Sequence, residues 1–216
     1  MHLEFLVEDS SGHALLEHLL PKIIGRRGEP HTYRLISYRG IGHIPKDLKS
    51  KSDPSKRVLL SRLPSLLRGL CKIATVDAIV VVLDADKRDV TKFRKELNEL
   101  AKKAGAPDTV FGLAVEELEA WYLGDRKALL SAYPRAQAKH LRHYDQDSQC
   151  GTWELLADAV FEGGAAACKA PGGKHAGDLK HEWARRIGRL LDVEINLSPS
   201  FQQLRDALRI LAPMSG

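Results

Sequence analysis

Ala78-Ile79-Val80-Val81-Val82-Leu83, followed at once by Asp84-Ala85-Asp86, is the stretch that decides the fold. Six consecutive apolar residues, five of them aliphatic beyond alanine, do not alternate with polar ones as a half-solvated strand would. Such a run suits a strand buried on both faces, as in a parallel sheet covered by helices. Working backward, Leu3 to Val7 is a second short apolar run, ending in Glu8-Asp9-Ser10-Ser11-Gly12. That ending combines helix N-capping residues with a glycine. Leu15, Leu16, Leu19, Leu20, Ile23 and Ile24 then trace one face of a helix closed by Gly25 and Gly28. Tyr33 to Tyr38 reads as a strand, and Val58 to Ile73 as an apolar helix. Between them, Lys46 to Lys56 carries four lysines and Pro54, the composition of an exposed connection.

Working forward, Val90, Phe93, Leu97, Leu100 and Ala104 define an amphipathic helix stopped by Gly105 and Pro107, and Thr109 to Val115 resumes as a strand. The order β-α-β-α-β-α-β predicts an α/β fold, a Rossmann-like central parallel sheet flanked by helices, with sites at the carboxyl ends of the strands. From Glu116 the pattern is mostly helical: Glu116 to Tyr122, Arg126 to Tyr133, Thr152 to Phe161, Leu179 to Leu191 and Phe201 to Leu211. Gly163 to Gly177 shows no periodicity and reads as a Gly/Ala/Lys-rich loop, disordered or ordered by a ligand. The expected organisation is an α/β core over residues 1–125 and a helical C-terminal extension over 126–216 packed on it as one unit.

Composition bounds the function. The 216 residues hold 33 Lys+Arg against 28 Asp+Glu, a net charge of +5 that tolerates an anionic partner without demanding one. No apolar stretch approaches the roughly 20 residues of a membrane helix, and no signal-peptide core follows Met1, so a cytoplasmic protein without a membrane partner is expected. Three cysteines, Cys71, Cys150 and Cys168, at wide spacings support neither a disulfide framework nor a metal knuckle. Gly172-Gly173-Lys174-His175 fails the phosphate-loop spacing, because Cys168 and His175 stand where Gly and Ser or Thr belong.

The chemistry lies in the acidic residues. Glu8, Asp84 and Asp86 end apolar strands, and adjacent strands lie only ~4.8 Å apart, so their carboxylates can converge. Clustered like charges repel unless a cation or proton offsets them, and all-oxygen ligands suit Mg²⁺ or Mn²⁺. Glu117 and Glu119, after the fourth strand, can approach the same edge, whereas Glu116 reads as a charge at a helix N-terminus.

With these motifs in place, the first half of the chain resembles a Toprim domain, the catalytic module of topoisomerases, primases and OLD-family nucleases: one Glu after the first strand (Glu8) and a DxD after a later one (Asp84-Ala85-Asp86). A closer resemblance is to a bacterial Toprim-like branch often encoded beside ABC-type ATPases, through Glu117-Leu118-Glu119-Ala120-Trp121 and Ser198-Pro199-Ser200-Phe201. The resemblance implies a Toprim-like fold and Mg²⁺- or Mn²⁺-dependent nuclease activity on DNA or RNA, as the effector of an ATPase-paired phage-defence system. It implies Glu8, Asp84 and Asp86 as catalytic residues and metal ligands, and Glu117 and Glu119 as further ligands. Nucleases of this type tend to place a lysine near the scissile phosphate, so Lys174 and Lys180 are candidate nucleic-acid contacts, with Arg39 extending that surface. The chain departs from many members in having Asp9-Ser10-Ser11-Gly12-His13 where they carry a second glutamate. That departure motivates an alternative, a non-catalytic binding or regulatory subunit of an ATPase complex. Phosphoryl or nucleotidyl chemistry on a small molecule is a third reading, and the oligomeric state stays open.

Overall fold

The structure is a computed structural model and describes residues 1–45, 58–170 and 173–214, without the side chains of 173–175. Four strands, β1 (His2–Val7), β2 (Thr32–Ser37), β3 (Ala78–Asp84) and β4 (Val110–Ala114), form one parallel sheet in the order β2-β1-β3-β4. The helices α1 (Ser10–Ile23), α2 (Leu59–Leu70) and α3 (Val90–Ala104) connect them. This is the α/β, Rossmann-like arrangement that the alternating pattern predicts, and the uninterrupted apolar run of β3 sits in the sheet interior with neighbours on both sides.

The two faces of the sheet are divided by side-chain parity. Leu3, Phe5, Val7, Val80, Val82 and Ala114 pack into a core with α1, while Leu6, Val81, Leu83 and Leu113 pack against α2 and α3. After β4 the chain adds α4 (Glu119–Leu123), α5 (Arg126–Ala132), a 3₁₀ turn (Ala138–Leu141), α6 (Thr152–Val160), α7 (Gly164–Lys169), α8 (Gly173–Gly188) and α9 (Pro199–Leu211). Their buried side chains, among them Trp121, Trp153, Trp183 and Phe201, join the α1 face in a continuous apolar core. No helix among the described residues is long and apolar enough to cross a membrane.

Three local readings of the sequence change. The described residues of the segment from Gly163 to Gly177 are largely helical, comprising α7 and the start of α8. Ala165, Ala166 and Ala167 are strong helix formers, and Asp158 accepts from the Ala165 N–H at 2.7 Å, which anchors the turn. The helix expected from Glu116 starts only at Glu119, because Glu116 has a left-handed backbone, φ 63°. The lysine-rich stretch Lys46 to Lys56 lies outside the described residues.

Two close approaches set the position of α8. A Cβ on Gly188 would meet Leu15 Cδ1 at 2.9 Å, so a side chain there would force Leu15 or α8 to shift. Lys22 Nζ donates to the Arg189 and Leu191 carbonyls at 2.8 and 2.7 Å, satisfying groups beyond the end of α8 from α1. The Ser198-Pro199-Ser200-Phe201 segment works similarly for α4. Ser198 Oγ accepts from the Phe201 N–H at 3.3 Å as the N-cap of α9 and donates to Asp147 at 2.7 Å. Trp121 Nε1 donates to Ser200 Oγ at 3.0 Å, and its ring meets Phe201 edge to face at 5.7 Å.

Phe201 is fully buried against Trp121, so Phe201→Ala is expected to cost about 3–5 kcal/mol of folding stability, read from urea unfolding. A loss below about 1 kcal/mol would show that the contact with Trp121 does not fix α9.

Candidate functional site: carboxylates at the strand ends

All four strands run the same way, so their carboxyl ends share one edge, and every acidic residue singled out above lies at it or just past it. Val7 is in register with Val82, which brings Glu8 beside the end of β3. The Glu8 N–H donates to the Val82 carbonyl at 3.1 Å, and Glu8 Oε2 accepts from the Asp84 N–H at 3.0 Å. Asp84 shares the parity of Val80 and Val82, so its side chain projects to the α1 and α8 face of the sheet. Asp9 caps α1, accepting from the Gly12 N–H at 2.8 Å and from Ser11 Oγ at 2.9 Å. Gly12 is required by contact: a Cβ there would meet Val7 Cγ1 and Leu118 Cδ1, each at 2.9 Å.

Glu117 and Glu119 come from the turn after β4, and Lys180 of α8 meets them. Its Nζ is 3.4 Å from Glu117 Oε1 and 3.8 Å from Glu119 Oε2. The second distance is too long for a hydrogen bond. Glu119 Oε2 and Asp84 Oδ1 are accordingly buried oxygens with no hydrogen-bond partner among the described residues. Lys180 offsets Glu8, Asp84, Glu117 and Glu119 alike.

One ammonium among four carboxyls leaves the site short of positive charge. Burial pushes Glu8 up to about 7, with Asp9 and Asp86 adding repulsion against the Asp84 N–H and Lys180. Burial likewise raises Glu119 to about 7 despite Lys180. Asp84 is held well above the usual carboxylate range, first by burial and then by Glu8, and burial also raises Glu117. Burial opposes the charge on Lys180, but Glu119, Asp84 and Glu117 outweigh it and hold the ammonium above its ordinary range. Burial raises the Tyr122 phenol too, with Glu119, Asp9 and Asp84 contributing. The sequence reading did not single out Tyr122 or Asp9 as part of this site.

The remaining candidates stand within the buried group or at its exposed rim. Asp86 was expected to aim with Asp84 at one point, but its backbone has φ 49° and its half-exposed carboxylate pairs with Arg88 at 2.7 Å. The turn is held by the Asp86 N–H donating to the Glu116 carbonyl at 2.8 Å. Glu116 has a structural role, its carboxylate accepting from the Gly151 and Thr152 N–H groups at 3.0 and 2.8 Å ahead of α6. Lys180, expected on a nucleic-acid surface, is instead largely buried among the carboxylates. Arg39 is exposed on the same edge, beside Gly40, whose N–H donates to the Glu8 carbonyl at 3.0 Å. The side chain of Lys174 lies outside the described residues.

A cavity of about 590 Å³ adjoins the cluster, walled by Asp86, Lys87, Glu117, Thr152, Lys169 and Lys180, a size suited to a small ligand or one nucleotide unit. A larger one of about 730 Å³, walled by Tyr133, Phe161, Trp183 and Arg186, contains none of the clustered carboxylates. For a divalent cation, the donor chemistry fits: carboxylate oxygens, two of them buried and unpartnered. Among the described residues, however, no three His, Cys, Asp or Glu side chains are already arranged to hold one.

A carboxyl raised in the folded protein binds its proton more tightly folded than unfolded. For Glu8 the resulting stability is full below the ordinary value of 4.5 and is lost as pH rises through about 7. Glu8→Gln keeps an oxygen for the Asp84 N–H and removes the titration. It is expected to be more stable than the unsubstituted protein at pH 8 by roughly 1–3 kcal/mol, with the gain fading toward pH 4.5, by urea unfolding across pH. Equal stability of the two proteins at pH 8 would contradict the burial of a strained carboxyl at this position.

Comparison with curated proteins finds no match, and comparison with solved structures finds none. Residues 7–209 match a family described as Domain of unknown function (DUF4276), a span that begins at the last residue of β1 and ends within α9, enclosing every residue of the site. The chain belongs to the DUF4276 family.

Proposed function

We propose that the protein is a divalent-cation-dependent phosphodiesterase of Toprim type that acts on nucleic acid, with the strand-end carboxylates as its active site. The observation that carries the reading is the pair of buried, unpartnered oxygens, Asp84 Oδ1 and Glu119 Oε2, in a cluster where one lysine faces four carboxyls. Burying such charges is costly unless a further cation or proton compensates them. The resemblance of Glu8 and Asp84-Ala85-Asp86 to the Toprim glutamate and DxD supports the same assignment.

Mg²⁺ or Mn²⁺, when bound, would polarise the phosphate and lower the pKa of an attacking water. Asp84 and Glu119 would hold it, with Glu117 completing the donor set and Asp86 available from the rim. Glu8, poised near 7, can hold or release a proton at Oε1 or Oε2 at physiological pH, as a general acid or base must. Arg39 on the open edge would meet the phosphate backbone, where charge and reach suffice. In the cell, the enzyme would serve as the effector of an ATPase-paired phage-defence system, a role supported by the closer sequence resemblance.

A second reading has its own observation. Lys180 already offsets part of the cluster, and no three ligands are assembled among the described residues. A non-catalytic subunit that binds an ABC-type ATPase would retain such a site as a structural ion-pair network.

The test incubates the purified chain and Asp84→Asn with supercoiled plasmid and structured RNA in EDTA, Mg²⁺ or Mn²⁺. Cleavage by the unsubstituted protein is expected to vanish in EDTA and to fall at least about 100-fold in Asp84→Asn, with circular dichroism unchanged. Undiminished cleavage by a folded Asp84→Asn would overturn the assignment. No cleavage under any condition, together with stoichiometric capture of the ATPase, would establish the second reading instead.

A further inference from the structure

Lys180 stands where a solvated lysine would not. On α8 it lies on the same stripe as Ala176, Trp183, Ala184 and Ile187, of which the last three are buried core residues. A lysine on an apolar stripe requires a buried anionic partner, and the strand-end carboxylates supply it. The helix is held at its end, since Lys22 binds the carbonyls just past the end of α8. The ammonium has a different freedom. It sits on a flexible four-carbon stem, and Lys180 forms part of the wall of the 590 Å³ cavity next to the cluster. Its 3.8 Å separation from Glu119 Oε2 leaves that oxygen, like Asp84 Oδ1, without a hydrogen bond.

We infer that Lys180 is an internal competitor for the cation site: its ammonium holds the carboxylates together without a divalent ion and must swing toward the cavity for one to be held. The inference rests on the cation-binding reading above and deepens it, by naming the residue that sets how tightly the ion is bound. The competition is electrostatic. One positive charge within 4 Å of two ligand oxygens repels an incoming dication and occupies oxygens it needs. Removing the charge while keeping the stem leaves the carboxylates uncompensated and free to take up the ion.

The experiment measures Mn²⁺ binding to the full chain by titration calorimetry, for the unsubstituted protein and for Lys180→Met, whose side chain preserves the packing of the lysine stem. Thermal melts with and without Mn²⁺ establish that each protein is folded, and Lys180→Gln replaces the methionine variant if that one does not fold. Lys180→Met is expected to bind Mn²⁺ at least about tenfold more tightly and to show the larger rise in melting temperature with Mn²⁺. Equal or weaker binding by the variant, with measurable binding by the unsubstituted protein, would overturn the competition and leave the cation site standing. Absence of Mn²⁺ binding in both proteins would overturn both.

Discussion

A single buried ammonium set against a group of carboxyls organises this molecule. Lys180 reaches Glu117 and Glu119 from one helix, while Glu8 and Asp84 come from the ends of neighbouring strands. Parallel strands impose that convergence, because their carboxyl ends share an edge. Burial then makes the cluster consequential: in a low-dielectric setting each carboxyl resists ionisation, and Glu8 and Glu119 move up to about 7. The site therefore holds protons and one lysine in place of a full complement of positive charge.

Much of the remaining structure keeps those groups in place. Lys22 and Gly188 fix α8 on α1, and so fix the backbone from which Lys180 extends. Trp121, Ser200, Ser198 and Asp147 tie α4 to the start of α9, and Glu119 is the first residue of α4. Asn196 adds to this, donating to the Trp121 carbonyl at 2.8 Å. The helices after β4 thus share one apolar core with the sheet and also supply the cation that offsets its acidic edge.

The sheet was legible in the sequence because burial on both faces leaves a continuous aliphatic run, and Ala78 to Leu83 is such a run. Glu8 and Asp84 were legible because a carboxylate directly after a buried strand stands out. Asp86 stands at the exposed rim rather than beside Asp84 in the buried group, since period-two reasoning ends where the backbone turns left-handed, and nothing in Asp-Ala-Asp announces φ 49°. The cap that Glu116 provides was hidden for another reason: its partners, Gly151 and Thr152, lie 35 and 36 residues away. Lys180 could have been found. Aligned with Ala176, Trp183, Ala184 and Ile187, it is a charge on a stripe that predicts burial, and such a charge points to an acidic partner elsewhere in the chain. The Gly163 to Gly177 segment was misread because its glycines were given more weight than its alanine run.

The most direct measurement is a crystal structure of the full chain grown with Mn²⁺, with anomalous scattering recorded at the manganese edge. An anomalous peak against the carboxylates of Asp84 and Glu119, with Lys180 Nζ drawn away from Glu117, is the result expected of a cation site with an internal competitor. A map without a peak at saturating Mn²⁺, with Lys180 still against Glu117 and Glu119, would make the cluster a structural ion-pair network and contradict the catalytic reading.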